Sequence, residues 1–169
     1  MIENVVDQSL PFNEDGSFPE DPLNLIEDCI YLGDYEGAQI HRILRENNIK
    51  KVLSLLEDFD DFQNYEGIEY KKVEILDARQ ANLIQIIPEC IQFISDAQKA
   101  NENILVHCAA GVSRSPSILI AYFMIKYSVN YYAARNYVNK GRPGIYPNEG
   151  FVSQLLSINI DDYKHLINY

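Results

Sequence analysis

Cys108 and Arg114 stand six positions apart, separated by Ala109, Ala110, Gly111, Val112 and Ser113, and followed by Ser115-Pro116. An apolar strand over residues 104–107 feeds this stretch, and a helix opens at its far end. A loop so placed turns successive backbone N–H groups inward as an anion nest, and the helix N-terminus adds positive potential. The main-chain amides from Ala109 to Arg114 are therefore the candidate anion-binding set. Gly111 supplies freedom for a positive φ or a close approach. The planar fork of Arg114 suits a bidentate grip on two phosphate oxygens. A thiol in such a field loses its proton near neutral pH, which makes Cys108 a candidate nucleophile toward bound phosphorus.

The elements that must position this loop follow from pattern. Residues 29–32 read as a short strand, 51–56 (Lys-Val-Leu-Ser-Leu-Leu) as a buried strand, and 68–75 as a strand of alternating character. Residues 35–46 read as one helix, with Asp34 as its N-cap and Asn47-Asn48 at its end. Pro88 suits the first turn of a helix running to about residue 100, with Ile91, Phe93 and Ile94 facing inward. Helices are expected over 115–127 and over 131–139, the latter capped by Asn130 and ended at Gly141. Further helical segments are expected over 151–157 and 163–167. Strands alternating with helices predict one α/β domain over 23–169, with a central, mostly parallel sheet covered by helices. Residues 1–22 carry Pro11, Pro19 and Pro22 among acids, without periodic apolar residues, and read as a flexible acidic lead-in.

Composition narrows the partners. Of 169 residues, 47% are apolar and 23% charged, ordinary values for a globular chain, and the net charge is −11. No Lys or Arg precedes Arg42, whereas ten Asp and Glu residues do, so the remainder is close to neutral. Without a basic stripe to release counterions, nucleic acid is not expected as a ligand. The longest apolar run, 118–125, is too short to span a bilayer, and no signal peptide or lipidation motif is visible. Neither a membrane nor an export route is expected, which leaves a cytoplasmic or nuclear location. Oligomeric state is not legible. Cys29, Cys90 and Cys108 are too scattered for a disulfide framework or zinc site, and Cys29 and Cys90 read as small buried hydrophobes. His41 and His165 have no ligand spacing with His107, so neither metal nor other cofactor is expected.

The loop and its flanks resemble the His-Cys-x-x-Gly-x-Ser-Arg-Ser segment of dual-specificity protein phosphatases, within the protein tyrosine phosphatase superfamily. The preceding Val106-His107 and the run Ala121-Tyr122-Phe123-Met124 extend the likeness, which covers roughly residues 23–156. The resemblance implies a general acid upstream, and Asp77, 31 residues before Cys108 and followed by Asn82-Leu83, matches it. The acidic run Asp58, Asp60 and Asp61 reads as surface. The resemblance further implies that Asn148, in Arg142-Pro143-Gly144-Ile145-Tyr146-Pro147-Asn148, steadies the phosphate loop; as a residue alone it also reads as a helix N-cap. His107 is implied to hold the Cys108 neighbourhood, and Ser115 to ease departure of the thiolate, with a plain capping role as the other reading. Tyr146 is a candidate for the rim of the site. The implied reaction is metal-free hydrolysis of phosphate monoesters on proteins, on tyrosine and on serine or threonine. Phosphorylated proteins are therefore the expected partners. Ala109, Ala110 and Val112 stand where lipid-directed relatives place lysine, which disfavours polyphosphorylated substrates. Lipid, glycan or RNA phosphates remain the other substrate classes, and a non-catalytic phospho-binding module the alternative from another class.

Overall fold

Five strands hydrogen-bond in the order β1-β2-β5-β3-β4. These are β1 (Leu23–Glu27), β2 (Ile30–Gly33), β3 (Ile49–Leu56), β4 (Glu69–Glu74) and β5 (Asn103–His107) in the computed structural model, which describes residues 21–167. The pairs β2/β5, β5/β3 and β3/β4 are parallel, and only the β1–β2 hairpin is antiparallel. The sheet is thus mixed and mostly parallel, as the sequence predicts. The flexible lead-in predicted over residues 1–22 lies, apart from Asp21 and Pro22, outside the described residues.

Side-chain alternation along the strands builds two cores. In β5, Ile104 and Val106 enter the larger one while Leu105 enters the smaller. In β3, Leu53 and Leu55 face the larger core and Val52 the smaller. Such two-sided burial is what a central parallel strand requires. The smaller core is closed by α1 (Tyr35–Gln39) and α2 (His41–Glu46) through Ala38 and Leu44. The larger is closed by α3 (Leu83–Lys99), α4 (Arg114–Tyr127), α5 (Tyr131–Gly141) and α6 (Glu149–Ser157). Within α4 every residue from Ser115 to Ile125 is buried, the signature of a helix packed on all sides.

Four local expectations need correction. The helix predicted over 35–46 is broken at Ile40, whose extended backbone (φ −99°, ψ 101°) separates α1 from α2. Asp34 caps α1 as expected, accepting from Gly37 N–H at 2.8 Å. Pro88 lies inside α3 rather than in its first turn. The helix starts at Leu83 because Asn82 caps it and Gln154 Oε1, from α6, accepts from the N–H groups of Leu83 (2.8 Å) and Ile84 (3.2 Å). Those tertiary bonds satisfy donors that a helix start leaves open. β1 is a strand the pattern did not reveal, and the C-terminal segment is a 3₁₀ helix over Ile160–Leu166. Among the described residues no helix is long and apolar enough to cross a membrane.

Candidate active site

The parallel strands β3 and β5 deliver their C-terminal ends to one edge of the sheet, and the loop between β5 and α4 sits there. Cys108 is 2% exposed, and Ala109 and Ala110 are exposed beside it. Gly111 adopts φ +67°. A Cβ there would stand 2.6 Å from Gly33 O and 2.8 Å from the Arg142 guanidinium, so the position excludes a side chain on both conformational and steric grounds. The loop is anchored from outside as well: Tyr35 N–H donates to Ala109 O (2.9 Å), and Tyr146 N–H to Val112 O (2.7 Å).

Behind the thiol, Ser115 Oγ donates to Cys108 Sγ at 3.1 Å, so its hydroxyl faces the sulfur itself and does more than cap α4. His107, fully buried, has Nδ1 2.9 Å from Cys108 O and Nε2 2.6 Å from Ser54 Oγ. A carbonyl only accepts, so this network assigns the proton to Nδ1, and Nε2 accepts from the serine. Burial is the main cause that pulls the His107 pKa down to about 4; the neighbouring Arg114 charge adds to it, while the bond to Cys108 O opposes it. The imidazole is therefore neutral at physiological pH. Phe62 stacks on it at 5.6 Å, with the rings 11° apart.

Arg114, half-buried at the start of α4, donates from Nη1 to Ile75 O at 3.2 Å, a bond that fixes the guanidinium plane. Its Nε is buried and has no partner, the one such side-chain nitrogen or oxygen among the described residues. A buried donor left open costs about 1–3 kcal/mol, so this nitrogen, at the end of the loop that carries Cys108, calls for an acceptor from outside the chain. A phosphate oxygen has the required chemistry.

Asp77, exposed just beyond β4, is joined to this loop. Its Oδ1 accepts from Ser113 Oγ at 2.7 Å and from Asn148 Nδ2 at 2.9 Å. The main-chain N–H of Asn148 bonds the loop, reaching Ser113 Oγ at 2.9 Å. Its side chain meanwhile caps α6 through Phe151 N–H and steadies Asp77. Close approach of α6 to the acid segment depends on Gly150, where a Cβ would meet Arg79 O at 2.0 Å. The acidic run bonds elsewhere: Asp60 N–H donates to Asp58 Oδ1, and Asp61 O accepts from Tyr35 OH.

Sequence reasoning assigned no role to Arg142, yet it is completely buried under the loop. Its Nε donates to Gly111 O (3.2 Å), Nη2 to Ala110 O (3.4 Å), and Nη1 to Asp21 O and Asn24 Oδ1 (2.8 and 2.7 Å). Asp34 Oδ2 lies 3.7 Å from Nη2. Burial lowers the Arg142 pKa and raises that of Asp34, and their mutual attraction opposes both shifts. Arg142 thus holds two successive loop carbonyls, those of Ala110 and Gly111, from beneath. The only sequence signal was a cation directly after a helix end, one position past Gly141.

No group of three His, Cys, Asp or Glu side chains among the described residues could hold a metal ion. Residues 30–161 match the family model for the dual specificity phosphatase catalytic domain. The chain belongs to that family. It is 34% identical over 137 residues to dual specificity protein phosphatase 1 of Arabidopsis thaliana, covering 78% of this chain and 66% of the relative. It is 35% identical over 145 residues to human dual specificity protein phosphatase 6, covering 85% and 37% respectively. The chain thus spans just under two thirds of the first relative and little more than a third of the second. Among solved structures it resembles DUSP15, at TM-score 0.79 and 27% identity, over 85% of this chain and 91% of the other. It also resembles the human tyrosine phosphatase-like serine/threonine/tyrosine-interacting protein, at TM-score 0.75 and 27% identity, over 85% and 96%.

Proposed function

We propose that this chain is a protein phosphatase that hydrolyses phosphate monoesters on tyrosine and on serine or threonine, with Cys108 as nucleophile. The observation that carries this reading is the unpartnered buried Nε of Arg114, in the residue just before the Ser115 whose hydroxyl donates to the Cys108 sulfur. Cys108 thiolate attacks phosphorus, and an S–P bond forms as the P–O bond to the substrate oxygen breaks. The loop amides of residues 109–114 and the Arg114 fork take up the charge on the equatorial oxygens. Asp77 gives its proton to the departing oxygen. Both of its recorded bonds fall on Oδ1, which leaves Oδ2 as the atom that carries that proton. Water then attacks the cysteinyl phosphate, Asp77 accepts a proton from it, and the Ser115 hydroxyl stabilises the sulfur as it leaves with the bonding pair. His107, neutral, and Arg142, charged, hold the loop without touching substrate.

Two assays test the reading. In the presence of a chelator the protein should turn over p-nitrophenyl phosphate and phosphotyrosine and phosphothreonine peptides, and rapid quenching should trap phosphate on Cys108. Cys108→Ser should remove turnover by roughly three orders of magnitude or more, as expected when a covalent route is lost. Binding of phosphopeptides without turnover would make the chain a phospho-binding module. Turnover of lipid, glycan or RNA phosphates in preference to peptides would replace the substrate class and keep the chemistry.

A further inference from the structure

Beside the phosphate loop, α5 and α6 part to leave a cavity of about 300 Å³. Its walls include Tyr131, Tyr146, Pro147, Val152 and Leu156, with the exposed Ser153 on its lining. Tyr146 and Leu156, both on the lining, are 54% and 51% exposed. The near wall of this cavity includes Tyr146 and Pro147, which belong to the segment bonded to the phosphate loop. Tyr146 N–H is bonded to Val112 O, and Asn148 N–H to Ser113 Oγ, so the near wall is the same segment that braces the loop.

Resting on the phosphatase reading, we propose that this cavity is a substrate subsite that takes one large apolar side chain a few positions from the phosphorylated residue. An extended chain advances at most ~3.3–3.6 Å per residue. A phosphoresidue seated over Cys108 therefore brings its near neighbours past Tyr146 and Pro147. The exposed surface of the lining is chiefly apolar, with Arg135 and Glu149 as its two charged members, which favours a leucine, methionine or aromatic residue over a charged one. Burying such a side chain tightens binding by roughly 10-fold or more, so it sets selectivity among phosphoproteins that contacts to the phosphate alone do not provide. Glu149, also on the lining, is held by Arg79 at 2.9 Å.

The test is a phosphotyrosine peptide series with a single leucine or phenylalanine moved from about four positions before the phosphoresidue to about four after, in an otherwise alanine and serine background. One or two positions should lower KM by roughly 10-fold or more with kcat little changed. Ser153→Trp, a substitution at an exposed position, should fill the cavity and abolish that preference. A flat response across the series, or a preference that survives Ser153→Trp, overturns the subsite while leaving the phosphatase reading intact. Failure to turn over any peptide or p-nitrophenyl phosphate sinks the phosphatase reading instead. A wild-type dimer that Ser153→Trp converts to monomer would give the cavity to a second copy of the chain and also overturn the proposal.

Discussion

Two buried charge clusters occupy opposite ends of the sheet, and they are finished differently. At the end away from Cys108, Glu27 receives Lys126 Nζ, Tyr127 OH and Tyr137 OH. Burial drives the Glu27 pKa up, and these donors together outweigh it and hold the carboxyl below its ordinary value. Every group there has its partner within the chain. At the catalytic end, Arg142 is likewise satisfied by loop carbonyls, Asn24 and Asp34, but Arg114 keeps an open donor. A closed cluster serves folding. An open one, held in place by a closed one, serves a ligand.

The sharpest way to break this comparison is Arg114→Lys. It keeps the charge and loses the fork, so turnover should fall roughly 100- to 1000-fold, about 3–4 kcal/mol of transition-state stabilisation, with the urea midpoint almost unmoved. Equal losses of activity and stability would make Arg114 structural, like its counterparts at the other end. The mirror experiment is Lys126→Met. It strands the Glu27 carboxylate with two tyrosine donors, and should cost roughly 3 kcal/mol of stability while kcat/KM of the folded protein stays near wild type.

Acidification separates the ends further. The His107 pKa is about 4, against an ordinary 6.5. Above about pH 6.5 its preference for the neutral form contributes fully. As pH falls from there toward 4 only the unfolded chain takes up the proton, so stability is lost on acidification, by roughly 3 kcal/mol in all. Denaturant midpoints compared at about pH 7 and about pH 4.5 should show this slope, and His107→Gln should flatten it. The smallest effect expected is that of Asn148→Ala, about 1 kcal/mol from the lost α6 cap. The accompanying fall in rate should be greater for tyrosine phosphate than for p-nitrophenyl phosphate, whose leaving group needs less help from Asp77. Asn148→Asp keeps a cap and should restore stability without restoring that rate.

The parts legible in the sequence were those whose cause is local. β3 and β5 carry dense apolar stretches, broken in β3 by Ser54, and Asp34, Asn130 and Asn148 are side chains that cap their own helices. The loop from Cys108 to Arg114 carries its geometry in Gly111. What stayed hidden depends on distant partners. β1 contains Asn24 and Glu27, polar residues whose reasons for being there are Arg142 and Lys126, more than a hundred and nearly a hundred positions away. The start of α3 was misplaced at Pro88 because the donors before it are satisfied by Gln154. The reason for a hydroxyl at Ser54, inside a buried strand, is His107, 53 positions away. Arg142 had no periodicity to betray it.

Gln154 carries a consequence for the order in which the chain assembles. Its amide closes the first turn of α3 from 71 positions away, and donates to Ala81 O as well as to its own helix at Gly150 O. The Asp77–Asn148 bond spans the same interval. Closing so long a loop is entropically late, so the sheet, the Cys108 loop and α4 can assemble before the acid segment is fastened. A nascent chain that has not yet released α6 would thus hold Cys108 in its loop before Asp77 is fastened beside it. Contacts made this late act on the unfolding rate more than on the folding rate. Weakening Gln154 therefore shortens the lifetime of the native state while leaving the time taken to reach it nearly the same.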